Sequence, residues 1–194
     1  MTIKKSNRDA RYIIRLFPEL ERLESLDIRQ KVIEAWFRAL ERSHWEDIES
    51  VPFVPNYPEL RQIEHTQAAT LGSIKLAEVI REIHGIKVNM DFVIAGANLH
   101  DIGKLIEYGK TEKTYVGQLL RHPFIGAHLA LEVGLPPEIA HIIAAHSVEG
   151  ETSGWRRSIE AIIVHAGDFC SARTFALAKT GKTTAQLLQE AGER

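Results

Sequence analysis

Apolar residues recur with a helical period along most of the chain. After Asp27, which is placed to cap a helix, apolar side chains recur every three or four residues from Ile28 to Leu40. The segment 51–58, VPFVPNYP, then carries three prolines and is predicted to be a linker, because proline cannot continue a helix. No segment alternates as a half-buried strand would, so the pattern predicts an all-α protein.

Further helices are predicted downstream, most of them marked by a proline in the first turn or a glycine after the last. Their approximate ranges are 59–83, 91–100, 122–134, 135–146 and 157–179. The stretch after Asp91 is apolar on nearly every side, so a strand competes there, but its alanines and glycine favour a buried helix. In the 59–83 helix the predicted inner stripe comprises His65, Ala68, Ala69, Gly72, Leu76, Val79, Ile80 and Ile83.

Length and composition fit a single domain. The chain has 194 residues, of which 44% are hydrophobic and 26% charged, and one domain typically takes about 100–200 residues. We expect a helical arm at 1–55 packed on a helical bundle at 56–181, followed by a C-terminal tail at 182–194 that frays or forms a short helix. No internal repeat divides the sequence further.

Charge and cysteine content exclude several classes of function. With 24 basic against 26 acidic residues, no overall field draws the protein onto polymeric nucleic acid or an anionic membrane. Cys170 is the single cysteine, which excludes an intramolecular disulfide and a cysteine-rich zinc site. The first twenty residues lack the continuous apolar stretch of a secretory signal, and no apolar run approaches a membrane span. The expected setting is soluble and cytoplasmic.

Six residues carry the candidate chemistry, and each interrupts an apolar stretch or lies at the end of a predicted helix. Bundles build metal sites from such side chains, because facing helices bring them together in the core. Four imidazoles and two carboxylates suit Fe, Mn, Co, Ni or Zn rather than Ca. A buried carboxylate must be paired or bound to a metal. The candidate ligands are His65, His100, Asp101, His122, His146 and Asp168.

The remaining polar and aromatic residues have weaker signals. His165 lies one helical turn before Asp168 and is a candidate supporting partner for it, as Glu64 and Asn98 are for the ligands they flank. Ordinary core or surface roles are expected for the other histidines and for the tryptophans. These are His44, His84, His128, His141, Trp36, Trp45 and Trp155.

The string LHDIGKLIEY at 99–108, with His65 before it and Asp168 after it, resembles the HD-domain superfamily of metal-dependent phosphohydrolases. The likeness covers about residues 60–175. It implies a helical HD-domain bundle in which His65, His100, Asp101 and Asp168 bind one metal ion.

The segment HPFIGAH at 122–128 is similar to the HPxxGA run of the binuclear branch of that superfamily. This likeness implies that His122 and His146 serve a second ion. The chain departs from the branch that hydrolyses cyclic di-GMP, because Ser147 replaces a second histidine and no GYP follows Gly150. A pair of divalent transition ions is therefore expected, with Fe or Mn preferred, and cyclic di-GMP is not the expected substrate.

The resemblance implies hydrolysis of a phosphomonoester or phosphodiester, in a small molecule of the nucleotide class. Asp101 would bridge the ions, which would hold the attacking hydroxide. Lys104 would neutralise the developing negative charge, and Arg121 is a weaker candidate for a phosphate contact. Two alternatives stay open: a di-iron oxygenase of the HD type that acts on a phosphonate or polyol, and a non-catalytic regulatory module.

Overall fold

Helices account for most of the chain in the computed structural model, which describes residues 9–152 and 157–190. Trp155 lies outside these ranges. The helices are α1 (Ala10–Leu16), α2 (Leu26–Arg42), α3 (Gln62–His84), α4 (Met90–Leu99), α5 (Lys104–Glu107), α6 (Tyr115–Leu119), α7 (His122–Glu132), α8 (Pro137–Ala145), α9 (Val148–Thr152), α10 (Ile159–Thr180) and α11 (Thr184–Glu190). A 3₁₀ helix covers Pro18–Arg22, and two short strands cover β1 (Pro52–Val54) and β2 (Tyr57–Arg61). The all-α prediction is confirmed, apart from this small hairpin.

Side chains and glycines at the helix ends explain where the long helices begin and end. Ser25, not Asp27, caps α2, since its hydroxyl accepts a hydrogen bond from the Ile28 amide. Ser158 caps α10 in the same way. Gly181 follows α10 in the left-handed conformation, as expected from the sequence.

The predicted linker forms an antiparallel hairpin. Its prolines prevent a helix, as expected, but β1 pairs with β2 through Pro52 opposite Arg61 and Val54 opposite Tyr57. Asn56 turns the chain with a φ of 67°, a conformation that asparagine tolerates. The expectation of no strand is therefore wrong here. The prolines hide the alternation, and a two-stranded ribbon needs few backbone donors.

The predicted inner stripe of α3 is only partly correct. Leu76, Val79 and Ile83 are exposed. The helix instead buries a face of smaller and polar residues, namely His65, Thr66, Ala69, Thr70, Ser73, Ile74 and Ala77. The reason is close packing against α10, where a side chain at Gly167 would overlap that of Ser73. Small residues are buried because only they allow this approach.

The N-terminal segment packs on the bundle through a shared core. Trp36 is fully buried, stacks on Phe17 with ring centroids 4.7 Å apart, and donates a hydrogen bond of 2.7 Å to Asn98 Oδ1. Trp45 is also buried and donates to the carbonyl of Tyr108. The packing role expected for these two tryptophans is confirmed. The division at 55 and 181 stays a prediction.

The C-terminal helix α11 packs against the β1–β2 hairpin. Leu187 of α11 is fully buried in a small cluster that includes Phe53, Val54 and Leu60. Within residues 9–152 and 157–190, no helix has the length and apolar character needed to cross a membrane.

Candidate metal centre

The six candidate ligands converge from three helices and from the turns that follow α4 and α8, and all are buried. They form two triads in which the candidate ligand atoms lie within 4.8 Å of one another. The first triad is His65, His100 and Asp168, and the second is Asp101, His122 and His146. Convergence of the six residues in the core agrees with the expectation from the sequence.

Local geometry brings Asp101 against the first turn of α7. His100 follows α4, Asp101 comes next, and Gly103 packs against the backbone carbonyl of His122. A side chain at position 103 would overlap that carbonyl, so glycine is required for this approach. The glycine of the HDIGK string therefore allows the turn that carries Asp101 to approach His122.

Asp101 lies between the triads, and its two oxygens face different histidines. Oδ1 is 3.1 Å from His122 Nε2 and 3.6 Å from His146 Nε2. Oδ2 is 3.4 Å from the Nε2 atoms of both His65 and His100. One carboxylate is thus positioned to interact with a cation in either triad.

Backbone carbonyls fix two of the imidazoles. Nδ1 of His100 lies 2.6 Å from the carbonyl of Ala97, and Nδ1 of His146 lies 2.6 Å from that of Ile143. A carbonyl accepts only, so each Nδ1 carries the proton and Nε2 points inward.

The inward nitrogens need a cation. Nε2 of His65 lies 3.0 Å from Nε2 of His100 and 3.2 Å from Oδ1 of Asp168. Lone pairs and carboxylate oxygens at these separations repel one another unless a proton or metal ion lies between them. Imidazole and carboxylate donors suit a divalent transition metal, so the residues fit such an ion.

The other two histidines are held by side chains that the sequence analysis did not identify. Ser171 Oγ lies 3.0 Å from Nδ1 of His65. Glu107 Oε2 accepts from both the Nδ1 (2.8 Å) and the backbone amide (2.9 Å) of His122. Ser171 lies three residues after Asp168 on one helix, a spacing that would have indicated it. Nothing in the sequence pattern distinguishes Glu107 from an exposed acid.

The carboxyl groups of the site are ionised despite their burial. Burial by itself raises the pKa of Asp101, but Lys104 and His100 outweigh it and hold that pKa well below its ordinary value. For Asp168, burial is likewise outweighed, chiefly by the hydrogen bond with His65, and the pKa falls to about 2. The site therefore presents fixed negative charge to a cation.

Lys104 lies beside Asp101 and is held by the hairpin. Its Nζ is 2.9 Å from Oδ2 of Asp101 and 3.3 Å from the carbonyl of Phe53. The same ammonium lies 4.0 Å from the centroid of the Phe53 ring, which also packs on His65 at 4.1 Å. Phe53 lies in the predicted linker, so the sequence offered no signal for this role.

Two of the proposed supporting residues have other partners. Asn98 accepts from Trp36 and donates to Glu19 in the core, rather than orienting a ligand. His165 has Nδ1 2.5 Å from the carbonyl of His146 and Nε2 3.3 Å from Glu151, so both ring nitrogens face groups other than Asp168. His165 thus contacts the backbone of His146, a member of the second triad.

Two further charged candidates have ion-pair partners outside the triads. Glu64 pairs with Arg61 at the start of α3. Arg121 has its Nε 3.3 Å from Glu149 and 3.8 Å from Glu107, and its side chain is 37% exposed. Arg121 is therefore paired with acids rather than simply solvated.

The histidines given ordinary roles lie outside the triads. His44 and His84 are exposed, and His128 is exposed beside Glu132. His141 accepts a hydrogen bond from the amide of Ser158 through its Nε2.

Comparison with known protein families decides the classification. The model of the HD domain matches residues 62–173, the part of the chain that carries both triads. The chain belongs to the HD-domain family. Members of the HD-domain family bind divalent metals, which agrees with the donor set of the two triads.

A curated relative of this HD-domain protein is the dihydroneopterin 2',3'-cyclic phosphate phosphodiesterase of Methanocaldococcus jannaschii. The two are 33% identical over 171 residues, an alignment that covers 79% of this chain and 66% of the relative. The chain thus spans slightly less than two thirds of that protein. No solved structure gives a significant match.

Proposed function

We propose that this protein is a metal-dependent phosphohydrolase that cleaves a phosphomonoester or phosphodiester bond in a small, nucleotide-like compound. The observation that carries the proposal is the position of Asp101, whose two oxygens face the two triads separately. Paired ions that share a carboxylate are a recurrent arrangement for displacement at phosphorus. The HD-domain membership and the phosphodiesterase relative support the same reaction class.

We propose that the ligands are His65, His100 and Asp168 for one ion and His122 and His146 for a second, with Asp101 shared. Fe or Mn is preferred, and Zn, Co and Ni are alternatives that the same donors accept. When bound, the ions would supply Lewis acidity and a water of lowered pKa. The chain itself orients the donors, because each histidine is held at Nδ1 by a partner on the outer side of the site.

Lys104 is the proposed catalytic partner of Asp101. Its side chain is 11% exposed and its ammonium lies next to the shared carboxylate, where few waters compete for a charged group. A phosphate ester at the site would place its non-bridging oxygens near this ammonium. The ammonium would then stabilise the negative charge that develops on the phosphoryl group in the transition state. Arg121 lies farther out among acids and is the weaker candidate for a phosphate contact.

The substrate class proposed is a small cyclic phosphodiester. The relative acts on a 2',3'-cyclic phosphate. In such a hydrolysis the oxygen of water bonds to phosphorus, one ester P–O bond breaks, and the departing alkoxide takes a proton to become a hydroxyl. We further propose a cytoplasmic location and small molecules, rather than membranes or polymeric nucleic acid, as partners.

The test is a substrate screen under anaerobic conditions with Mn²⁺ or Fe²⁺ supplied. Dihydroneopterin 2',3'-cyclic phosphate, 2',3'-cyclic mononucleotides and linear mononucleotides would be followed by phosphorus NMR, with Asp101→Asn as the inactive control. Ring opening or phosphate release by the parent supports the proposal. Oxygen uptake with a phosphonate or polyol and no phosphate chemistry would instead assign the oxygenase, and ligand binding without turnover would assign a regulatory module.

A further inference from the structure

Glu107 is a buried acid beside the second triad, and its contacts are unlike those of the other outer partners. It lies at the end of α5 and is fully buried. One oxygen, Oε2, accepts both from the imidazole Nδ1 and from the backbone amide of His122. The carboxylate therefore holds both the imidazole ring and the backbone amide of His122, the first residue of α7.

The two triads differ in the negative charge that they offer. The first has Asp168 to itself and also faces Oδ2 of Asp101. Among the described residues, the two histidines of the second triad have one carboxylate oxygen in front of them, Oδ1 of Asp101. A divalent ion in the second triad thus meets less carboxylate charge than one in the first.

The groups that contact the Nδ1 atoms of the histidines also differ in charge, and here the second triad has the negative group. Neutral groups lie behind three of them: the Ser171 hydroxyl and the carbonyls of Ala97 and Ile143. Only His122 has a carboxylate behind it. A carboxylate that accepts the Nδ1 proton raises the electron density at Nε2 and locks the ring. Glu107 therefore increases the negative charge density at Nε2 of His122, in the triad that has less carboxylate charge of its own.

We infer that Glu107 is a positioning residue that sets the affinity of the second triad for its metal ion. The inference rests on the proposed paired-metal site. Cations keep the carboxylate in place, since Lys113 Nζ lies 3.3 Å and Arg121 Nε 3.8 Å from Oε1. The two cations contact Oε1, whereas Oε2 accepts from His122. The cations therefore hold the carboxylate without competing for the oxygen that contacts the imidazole.

The experiment titrates the metal-free full-length protein with Mn²⁺ alone and measures the number of ions and the affinity of each by calorimetry. Glu107→Gln keeps the shape of the side chain and an acceptor oxygen but removes the charge. We expect its second ion to bind about 10- to 100-fold more weakly, while the first ion binds as in the parent. Glu149→Gln is the matched control, since Glu149 contacts Arg121 in the same charged cluster. It should bind both ions normally.

Ser171→Ala tests the same reasoning at the other triad. Its partner is His65, so it should weaken the first ion and leave the second. A general loss of folding would lower both affinities alike, which separates positioning from mere structural support. If Glu107→Gln binds two ions as tightly as a two-ion parent, the role of Glu107 is refuted and the paired site stands. If the parent protein binds one ion, both the role of Glu107 and the paired-metal site are refuted.

A second measurement needs no substitution. In the Zn²⁺-loaded parent, the Nδ1 proton of His122 should resonate downfield of those of His100 and His146 in NMR spectra, because a charged carboxylate at 2.8 Å is a stronger acceptor than the neutral carbonyls at 2.6 Å. Equal shifts for the three protons would overturn the assignment of Glu107, even if Glu107→Gln did not fold.

Discussion

Lys104 and Asp101 form a buried ion pair, with Nζ 2.9 Å from Oδ2. The pair lies on the side of the carboxylate that faces His65 and His100, and the ring of Phe53 closes it off. Because Lys104 contacts the carboxylate that we propose to be shared, and is not among the proposed metal ligands, effects of its substitution on metal binding and on turnover can be separated.

Lys104→Ala should leave the metal content intact and lower turnover of a phosphate ester by about 10²–10³-fold. One charged hydrogen bond in a water-poor site contributes on the order of 2–4 kcal/mol to stabilising the transition state. Lys104→Arg should recover little, because a planar guanidinium does not replace a compact ammonium. The measurement is steady-state kinetics with metal analysis of each variant. Turnover of Lys104→Ala equal to that of the parent would exclude a catalytic role for Lys104.

Asp101→Ala should lower the occupancy of both ions, since its oxygens face both triads, whereas His146→Ala should keep the first ion and lose the second. Elemental analysis of protein reconstituted with Mn²⁺ or Fe²⁺ measures this directly. The parent should carry more than one ion per chain. His128→Ala, at an exposed position outside the triads, is the control and should bind as the parent does. Parental metal content in both site variants would show the ligand assignment to be wrong.

Phe53→Leu should reduce turnover by about 2- to 30-fold without changing the metal content. The substitution keeps an apolar side chain and the carbonyl that Lys104 contacts, but it removes the ring face 4.0 Å from the ammonium. Such a contact contributes about 0.5–2 kcal/mol. Phe175→Leu is the matched control, because that ring lies 6.4 Å from Phe53 in the same cluster. Equal kinetics for the two variants would exclude a role of Phe53 in placing Lys104.

Glu19→Gln should make the protein more stable at alkaline pH. Burial raises the pKa of Glu19 from 4.5 to about 7, against smaller opposing effects of its hydrogen bonds with its own backbone and with Asn98. The folded state therefore binds more protons than the unfolded state between these values, and stability falls as the pH rises through this window. The loss approaches about 3 kcal/mol above pH 7.

Thermal or urea unfolding of the metal-free protein at pH 5 and pH 8 tests this. The variant should match the parent near pH 5 and exceed it in stability at pH 8. Glu21→Gln, an exposed neighbour, should show the same difference from the parent at both values. A stability difference for Glu19→Gln that does not change with pH would contradict the assignment.

The sequence by itself determined the helical class, the principal helices and the six polar residues of the core. Helical periodicity and end signals are local, so α10 and its Gly181 follow from the residues at those positions. Histidine and aspartate in apolar stretches are also visible locally, because their burial requires a partner. The resemblance of the HDIGK string then gave their family.

Only the tertiary structure decided how those residues are supported. The positions of Glu107 behind His122 and of Phe53 beneath Lys104 depend on segments that are far apart in the chain or irregular. The buried face of α3 was likewise misjudged, because the close packing at Gly167 favours small residues over the larger apolar ones. A sequence pattern records what each residue prefers, whereas these contacts depend on which elements meet, and that is set by the packing of the whole bundle.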